Sequence, residues 1–434
     1  MLEKRGALSW YVDDYPAALA QARRRDLPLV IDMWSSWCHA CLTMQRHVLG
    51  DPDLADVADR FVWLCADTDR RINAEMLERF PVEVWPTLYV ISPRDESIQA
   101  RLQGSASLSQ VRRMLADGAS GHRDAAGGRG YSDPSSPREL LRSADRALAA
   151  GEIERADDLY SRALEAGGDD WARRPYALTA RIAALARAEK WQSCAELGLG
   201  EMKNAGRSAT AAEFAYWAFV CSSQLAESNL LREAVHMRAL DRLQDLADDD
   251  RAPLSTYDRS EVLRLLRRVL HEAGDREAAE SVAERQLELL EEAVAQAPDA
   301  RAAAVFDEPR VDVHLYLERG EELLPDLERS VRELPDLHDP PYQLARVALA
   351  AGKTDRALEA ARRSLELAYG PWKGMVLMLL ARIHTARGER GSAIAQLRAA
   401  LELLESQPPG LRRPLLEQAA RGALKEASAA AAGQ

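Results

Sequence analysis

Two cysteines separated by two residues, Cys38 and Cys41, are the side chains whose spacing most directly indicates chemistry. They follow a nearly continuous apolar run, residues 27–34, which is typical of a strand buried on both faces. Residues 38–49 have helical spacing, so the first thiol lies where a helix begins and unpaired N–H groups favour negative charge. Cys38 is therefore predicted to form a nucleophilic thiolate, and Cys41 to resolve the mixed disulfide.

The cysteine pair has two other interpretations. It could be half of a structural zinc site, which needs four ligands. No second cysteine pair or correctly spaced histidine pair is present, because His39 lies between the cysteines and His47 follows without a partner. The pair could also be two small buried side chains that only fill space. The surrounding sequence favours redox chemistry over both.

Strand and helix patterns alternate around the cysteines. The predicted helices are residues 15–25, 51–60 and 108–115, and the predicted strands are residues 27–34, 61–67, 87–92 and 98–104. Strands that alternate with helices predict an α/β fold in which a mixed sheet is flanked by helices.

The sequence from residue 8 to residue 117 resembles the thioredoxin superfamily, in particular the thioredoxin-like branch with a helical insertion after the active-site helix. Five features agree in order: Trp10, VIDMWSSWCHAC, FVWLCADTD, VWPTLYV and Gly104. The resemblance implies an α/β thioredoxin fold, attack by Cys38 and resolution by Cys41. It also implies no cofactor beyond the redox-active Cys38–Cys41 disulfide, and no metal.

The same resemblance gives roles to residues around the cysteines. Trp37 and Trp34 shape the surface beside the thiols, although core packing is the favoured role of Trp34. Pro86 is expected to follow a cis peptide bond and, with Thr87, to border backbone that pairs with an extended substrate. Without the resemblance, Pro86 would be only a strand-initiating proline. Trp85 is bulkier than the residues usual there and is expected to narrow the substrate site.

Asp32 is a carboxylate inside an apolar strand. Burial disfavours its ionised form, so its pKa should be raised, and beneath Cys41 it can accept the resolving thiol's proton through water. Thioredoxins commonly place a lysine on the neighbouring strand, but the matching residue here is Trp63, and Lys4 is the only lysine before Lys190. Asp32 is therefore expected to be unusually desolvated and poorly charge-compensated. A permanently neutral, structural Asp32 is the alternative.

The dipeptide between the cysteines, His39-Ala40, departs from the Gly-Pro common in thioredoxins. A protonated imidazole beside the thiolate stabilises the reduced form. We therefore expect a reduction potential above the roughly −270 mV of thioredoxin and below the roughly −120 mV of a strong oxidase. A His39 side chain that points into solvent without effect is the alternative.

The rest of the chain has a different composition from the predicted thioredoxin-like domain, residues 1–117. Residues 118–136 are rich in Gly, Ser and Pro and are predicted to form a flexible linker that sets no rigid relation between the two parts. Residues 137–425 are predicted to form helical repeats, and the Ala-rich residues 426–434 a disordered tail.

The helical region resembles the tetratricopeptide-repeat superfamily. Clean copies of its pattern centre on Gly151, Gly352 and Gly388, and the last two glycines lie 36 residues apart. Small residues twelve positions before Ala156, Ala357 and Ala393 mark where paired helices approach closely: Ala144, Ala345 and Ala381. The resemblance implies an all-α solenoid with a concave groove that binds a protein or peptide. Helices that merely pack are the alternative.

Composition limits the classes of function. A formal net charge of −12 argues against a nucleic-acid binder. No apolar run approaches the roughly 18 to 20 residues of a membrane span. No secretory signal is visible, so a cytoplasmic location is expected, or a periplasmic one if an export signal is missing from this start. Cys65, Cys194 and Cys221 are assigned to packing, because scattered cysteines in such a chain do not indicate a disulfide scaffold.

Together these observations predict a thiol–disulfide oxidoreductase that reduces protein disulfides, supplied by an external electron donor such as a reductase. The helical repeats would bind a client or partner protein. A redox-linked co-chaperone or scaffold with little turnover is the first alternative. A purely structural pair of thiols is the second.

Overall fold

The computed structural model describes residues 2–127 and 133–432. The chain forms two compact units. The first comprises Met1–Trp34, Ala40–Ala66 and Phe80–Arg285, and the second comprises Ser35–His39, Asp67–Arg79 and Gln286–Gln434. Across the described residues, no helix is both long and apolar enough to cross a membrane.

A six-stranded mixed sheet has the strand order β1-β2-β4-β3-β5-β6. Its strands are β1 (Leu2–Arg5), β2 (Leu8–Val12), β3 (Leu29–Trp34), β4 (Val62–Asp67), β5 (Thr87–Ile91) and β6 (Ile98–Gln103). Strand β2 runs parallel to β4, whereas β1 with β2, β3 with β5 and β5 with β6 are antiparallel. This sheet confirms the predicted fold class and adds β1 and β2, which the sequence analysis did not predict.

Four helices belong to the same part of the chain: α1 (Tyr15–Arg25), α2 (His39–His47), α3 (Ala74–Arg79) and α4 (Leu108–Gly127). Helix α1 matches its predicted bounds because Asp14 caps it, accepting a hydrogen bond from the Ala17 amide. The predicted helix at residues 51–60 is instead a pair of short 3₁₀ turns, Pro52–Leu54 and Ala58–Arg60.

The prediction of a flexible linker over residues 118–136 is wrong for residues 118–127. Residues 118–127 continue helix α4, and residues 128–132 lie outside the described residues. The glycines of this segment serve close packing: a Cβ at Gly118 would lie 2.5 Å from a Val90 methyl, and one at Gly121 2.5 Å from the Gln99 side-chain oxygen. His122 is buried and bonds the Asp26 carbonyl oxygen. The glycines therefore permit contact rather than flexibility.

The expectation that the linker sets no rigid relation between the two parts is wrong for the first helices after it. The helices between residues 137 and 272 belong to the same compact unit as most of the sheet. Arg146 donates to the Ile98 carbonyl oxygen at 3.0 Å, and Arg173 donates to the Arg101 carbonyl oxygen at 3.0 Å. Both arginines thus bind the backbone of the edge strand β6, which ties the first helices to the sheet.

Sixteen helices follow residue 136 within the described residues: α5 (Pro137–Ala149), α6 (Ile153–Gly167), α7 (Arg174–Arg187), α8 (Trp191–Glu201), α9 (Ala209–Ser223), α10 (Leu230–Asp248), α11 (Thr256–Glu272), α12 (Arg276–Ala295), α13 (Ala300–Ala303), α14 (Asp307–Tyr316), α15 (Gly320–Glu333), α16 (Asp339–Ala350), α17 (Thr354–Leu367), α18 (Trp372–Ala386), α19 (Arg390–Glu405) and α20 (Pro414–Ala432). They form the antiparallel pairs of a tetratricopeptide-like array, which confirms the second part of the predicted fold class.

Six of the turns inside these pairs use one backbone conformation. Each of the six has one residue with positive φ after its first helix: Gly151 (76°), Glu189 (55°), Gly274 (85°), Glu318 (59°), Gly352 (71°) and Gly388 (76°). The small residues predicted at the helix crossings are buried: Ala144, Ala156, Ala345, Ala357, Ala381 and Ala393. At two of these turns a glutamate, Glu189 or Glu318, stands where the other four have glycine.

Exchanging the residue types at two of these turns should change stability in opposite directions. Left-handed backbone costs a residue with a Cβ about 1 kcal/mol, so Glu318→Gly should stabilise the α14–α15 turn and Gly352→Glu should destabilise the α16–α17 turn. Amide hydrogen exchange in these helices should slow about fivefold in the first variant and speed up about fivefold in the second. If hydrogen exchange slowed in both variants, or became faster in both, backbone strain would not govern these turns.

The predicted disordered tail is helical as far as the structure describes it. Helix α20 runs to Ala432, and residues 433 and 434 lie outside the described residues. Ala423 and Ala427 of this helix pack against a buried cluster of Ala381, Ala393 and Leu397. Alanine has the best helix propensity, which explains why the Ala-rich residues continue helix α20 as far as Ala432.

Candidate active site

Cys38 lies where strand β3 is followed by helix α2. The strand ends at Trp34, the Cys38 amide donates to the Ser35 carbonyl oxygen at 3.0 Å, and the helix begins at His39. Cys38 is only 6% exposed and Cys41 is fully buried. The first sulfur therefore lies directly before a helix N-terminus, where backbone dipoles favour a thiolate in the reduced protein.

The five cysteines form two disulfides and one free thiol. Cys194 and Cys221 are bonded to each other, Cys65 is free, and Cys38 and Cys41 are both disulfide-bonded, which leaves them as partners. The structure thus contains the predicted redox pair in its oxidised form. The assignment of Cys194 and Cys221 to simple packing was wrong, because helices α8 and α9 hold their Cα atoms 5.9 Å apart.

Trp37 is held by two contacts within the second unit. Its indole stacks on Trp372 with ring centroids 4.9 Å apart and planes 8° from parallel, and its Nε1 donates to Asp69 Oδ2 at 2.7 Å. Burial raises the pKa of Asp69 to about 6 although Arg413 lies 3.2 Å away. Trp34, in contrast, packs against the core of the sheet, the role favoured for it by the sequence.

The residues that contact the cysteine loop, residues 35–39, recur along the second unit. We call them the repeat edge: Val305, His338, Asp339, Tyr369 and Trp372. Ser36 Oγ bonds His338 Nε2 at 2.8 Å and the Tyr369 hydroxyl at 3.0 Å. These residues lie at or just before the starts of helices α14, α16 and α18, so three successive helix pairs contribute contacts to the loop. The loop is therefore recognised by helix starts, and not by helix faces.

His39 does not point into solvent, so that alternative is wrong. Its Nε2 lies 3.0 Å from Asp339 Oδ2 and its Nδ1 lies 2.7 Å from the Val305 carbonyl oxygen, with 3% of the side chain exposed. Burial opposes the charged ring, but Asp339 outweighs it and raises the pKa of His39 to about 9. The imidazole is thus a cation at neutral pH, directly beside Cys38 in the chain.

Asp32 is buried in strand β3, and the carboxylate has more partners than the sequence suggested. Burial raises the pKa of Asp32 to about 6, in the expected direction, while Gln45 donates to its Oδ2 at 2.8 Å. Arg5 on β1 lowers that pKa electrostatically and donates to Cys65 Sγ at 3.2 Å. Desolvation thus dominates at Asp32, as expected, and Arg5, from a strand that the sequence did not predict, compensates the charge only in part.

The remaining predicted site residues lie in the first unit. The Trp85–Pro86 peptide bond is cis, as expected, and the Gly104 amide donates to the Pro86 carbonyl oxygen at 2.8 Å. Thr87 is buried and donates to the Val84 carbonyl oxygen at 2.6 Å, whereas Trp85 is half-buried. Ala40 is half-buried in the first turn of α2. Their roles toward substrate stay predictions.

Sequence reasoning missed the residues that hold His39 and Trp37, namely Asp339, Trp372, Asp69 and Arg413. No local signal identifies them, because Asp339, Trp372 and Arg413 lie some 300 residues or more from the cysteine loop. Among the described residues, no group of three or more His, Cys, Asp or Glu side chains is placed to hold a metal ion.

Comparison with known families defines the class of the N-terminal part. Residues 9–93 match a family model described as thioredoxin-like. This part of the chain is therefore a thioredoxin-like domain with a Cys-His-Ala-Cys pair.

Two curated relatives have the name thiol:disulfide interchange protein DsbD. The protein from Cronobacter sakazakii (strain ATCC BAA-894) is 30% identical over 89 residues, which are 20% of this chain and 15% of that protein. The protein from Pseudoalteromonas atlantica (strain T6c / ATCC BAA-1087) is 24% identical over 111 residues, 24% of this chain and 19% of that protein. The chain thus covers less than a fifth of the length of either relative. These matches support thiol–disulfide redox chemistry in general.

Solved structures resemble the helical region. A tetratricopeptide repeat protein from Parabacteroides merdae ATCC 43184 aligns with a TM-score of 0.42 and 14% identity, covering 67% of this chain and 98% of that one. An assembly chaperone of RpL4, Acl4 residues 1–338, aligns with a TM-score of 0.33 and 18% identity, covering 68% of this chain and 99% of that one.

Proposed function

We propose that this chain reduces a disulfide of a protein partner through Cys38 and Cys41. The observation that carries the proposal is the disulfide-bonded pair directly before and within the first turn of α2, behind the buried strand β3 of a thioredoxin-like domain. A thiol at a helix start is ionised more readily than a free thiol and attacks disulfides faster at neutral pH. Trp37, Trp85, Pro86 and Thr87 are the residues proposed to shape the substrate site.

The reaction balances as two thiolate exchanges. In the reduced protein, Cys38 Sγ attacks one sulfur of the partner disulfide, so that bond breaks and one partner thiolate leaves. Cys41 then attacks Cys38 Sγ, the mixed disulfide breaks, and the second partner thiolate leaves. The partner gains two electrons and two protons, and Cys38–Cys41 becomes the disulfide. An external dithiol donor, such as a reductase, returns it to the reduced form by the same exchange.

Asp32 is the proposed proton acceptor for Cys41. The carboxylate lies in the same unit as Cys41, and burial raises the pKa of Asp32 to about 6. A carboxylate with that pKa is mostly ionised at neutral pH and is still basic enough to take a thiol proton. The hydrogen bond from Gln45 fixes the carboxylate, whereas Arg5 acts on it only electrostatically.

The chain is proposed to reduce a specific partner protein rather than any protein that carries a disulfide. Cys38 is 6% exposed, and its neighbours Trp37 and His39 are engaged by the repeat edge. A large folded client cannot reach a sulfur so covered unless its own segment fits the remaining opening. The other surfaces of the helical repeats are the proposed binding site for such a protein or peptide.

The same burial favours a second candidate function, a redox-linked co-chaperone or scaffold with little turnover. Cys38 is 6% exposed, and the indole of Trp37 stacks on Trp372 with ring centroids 4.9 Å apart, so the site is closed. In such a protein, the state of Cys38–Cys41 would alter the cysteine loop and its contacts with the repeat edge rather than reduce clients.

The compartment is proposed to be oxidising rather than cytoplasmic. The Cys194–Cys221 disulfide is fully buried between two helices of the first unit and is not part of the exchange pair. Structural disulfides persist mainly in oxidising compartments, such as the bacterial periplasm. This departs from the cytoplasmic location that the sequence predicted.

Counting released thiols tests the proposal. With the reduced protein and a small aromatic disulfide, the wild type should release two equivalents of aromatic thiol. Cys41→Ser should release one and keep the other as a covalent adduct on Cys38, and Cys38→Ser should release none. Two equivalents from Cys38→Ser would overturn the proposal. Two equivalents once from wild type, with no continued turnover on a disulfide-containing protein and a dithiol donor, would favour the scaffold.

A further inference from the structure

The hydrogen bonds of His39 fix its charge state. Its Nδ1 faces the Val305 carbonyl oxygen at 2.7 Å and its Nε2 faces Asp339 Oδ2 at 3.0 Å. A carbonyl oxygen and an ionised carboxylate can only accept, so both ring nitrogens must carry a proton. Because 3% of the His39 side chain and 10% of the Asp339 side chain are exposed, solvent does not compete for these bonds.

Asp339 is itself prepared for this role. It is the first residue of helix α16, where the helix dipole favours a carboxylate, and its Oδ1 accepts from Gln343 Nε2 at 2.9 Å. Burial opposes ionisation, but His39 outweighs it and the pKa of Asp339 is lowered. Both carboxylate oxygens are therefore occupied, one by the imidazole and one by the amide of the same helix.

The other ionisable groups near His39 do not replace Asp339. Glu308 of helix α14 adds a weaker attraction that also raises the His39 pKa. Asp307, on the same helix, is only partly ionised near neutral pH because burial raises its pKa to about 7. His338 precedes Asp339, and burial lowers its pKa, so it adds no cation at neutral pH. Asp339 is the only one of these groups with a hydrogen bond to the His39 ring among those that the structure describes.

We propose that Asp339 is a positioning residue for the Cys38 exchange reaction, which holds the His39 imidazolium beside Cys38 and so stabilises the Cys38 thiolate. The proposal rests on the proposed function. An imidazole buried without its carboxylate loses its proton, because burial disfavours the cation. A helical repeat some 300 residues away in the chain thereby sets how reactive the first thiol of the CxxC pair is.

The test measures the reactivity of Cys38 against pH in reduced protein carrying Cys41→Ser. The rate of alkylation rises with the thiolate fraction, so its midpoint gives the Cys38 pKa and its plateau gives the access of the reagent. Asp339→Asn should raise the midpoint by about one unit, which slows alkylation about tenfold below it while the plateau stays unchanged. Asp339→Glu should restore most of the shift, and Asp336→Asn, an exposed neighbour with the same charge change, should have no effect.

A redox equilibrium provides a second readout. With both cysteines present, Asp339→Asn should shift the equilibrium with glutathione about tenfold toward the Cys38–Cys41 disulfide, or about 30 mV toward more negative potential. His39→Gln should shift the equilibrium in the same direction and by at least as much, because it removes the imidazolium but leaves the Asp339 carboxylate, and the double variant should shift no further than His39→Gln alone. If only the alkylation plateau changes, Asp339 merely controls access and the proposal is wrong.

The failure of this proposal is distinct from the failure of the proposed function. The ring protons of His39 can be titrated by NMR in oxidised protein, where no thiol reacts. Asp339→Asn should bring the His39 pKa from about 9 to below its ordinary value near 6.5. If that shift occurs but Cys38 is inert in the wild type, the exchange function fails and the Asp339–His39 coupling stands. If His39 titrates unchanged, the coupling fails.

Discussion

Asparagine in place of Asp32 is expected to slow the resolution of the mixed disulfide by about a hundredfold. A positioned general base contributes about 10² to 10⁴ in rate, and asparagine cannot accept the Cys41 proton. The first attack by Cys38 should be nearly unchanged, because Asp32 acts on the second thiol. Rapid-mixing kinetics with a small aromatic disulfide separate the two steps, as each releases one equivalent of coloured thiol. Equal slowing of both steps would contradict the assigned role.

The pH dependence of that second step is a sharper version of the same test. In the wild type, resolution should gain an inflection near pH 6, where Asp32 ionises, and Asp32→Asn should lose it. Arg5→Gln serves as the matched variant: it removes the nearby cation that lowers the Asp32 pKa, so the inflection should move to higher pH without disappearing. An inflection that survives in Asp32→Asn would belong to another group.

Asp32→Asn should raise the free energy of unfolding at neutral pH although it slows the resolution of the mixed disulfide. The pKa of Asp32 is about 6 in the folded protein against 3.8 for the unfolded group, so the folded state binds more protons between these values. The free energy of unfolding therefore decreases as pH rises from about 4 to 6 and stays lower above it. Asp32→Asn removes this cost of up to about 3 kcal/mol at pH 7 but nothing below pH 4. Chemical unfolding at both pH values checks the sign.

Local patterns were sufficient for the thioredoxin-like sheet and for the position of the redox pair. The apolar run before Cys38 and the helical spacing after it are properties of contiguous residues, and β3 and α2 follow them. Strand β1 was missed because its four residues, Leu2–Arg5, are largely exposed and carry no apolar alternation. Arg5 was missed with it, so the compensation of Asp32 was judged from lysines alone.

Two predictions made from composition were wrong because glycine and alanine can each serve more than one structural purpose. The glycines of residues 118–136 were taken to indicate a flexible linker, yet Gly118 lies against Val90 so closely that a side chain would clash. The alanines of residues 426–434 were taken to indicate a disordered tail, yet Ala427 packs against a buried cluster. In both segments the deciding quantity is the distance to another element, which one sequence does not contain.

The charge and contacts of His39 needed the three-dimensional structure for a different reason. A histidine between two cysteines shows that an imidazole is near the thiolate, but Asp339 and Val305, which decide its protonation, come from repeats about 270 to 300 residues later. The repeat pattern predicted that helices such as α16 exist. It did not predict that the starts of these helices, rather than the concave groove, would hold residues 35–39.

Removing the second disulfide is expected to cost the first unit about 3.5 kcal/mol of stability. A cross-link between residues 27 apart restricts the unfolded chain, and the loop-entropy relation gives about this value at 25 °C. Helices α8 and α9 are already close at Gly198, where a Cβ would lie 2.4 Å from that of Ala218, so the bond joins positions that packing holds together. Strain in the folded state should therefore cancel little of the stability that the Cys194–Cys221 disulfide provides.

The experiment is best made in protein carrying Cys38→Ser and Cys41→Ser, where Cys194–Cys221 is the one remaining disulfide. Adding Cys194→Ala and Cys221→Ala to this parent protein gives a quadruple variant, whose first unit should have a lower urea midpoint. Added reductant should lower the midpoint of the parent protein to nearly the same value. It should leave the midpoint of the quadruple variant unchanged. Cys65→Ala, which removes a buried thiol without opening a loop, is the matched control and should cost much less. Because both sulfurs are fully buried, reduction should require unfolding, so the parent should lose its bond only near the midpoint. A bond that is reduced rapidly in the native protein would instead be a second exchange site, and the assignment of Cys194–Cys221 to structure would be wrong.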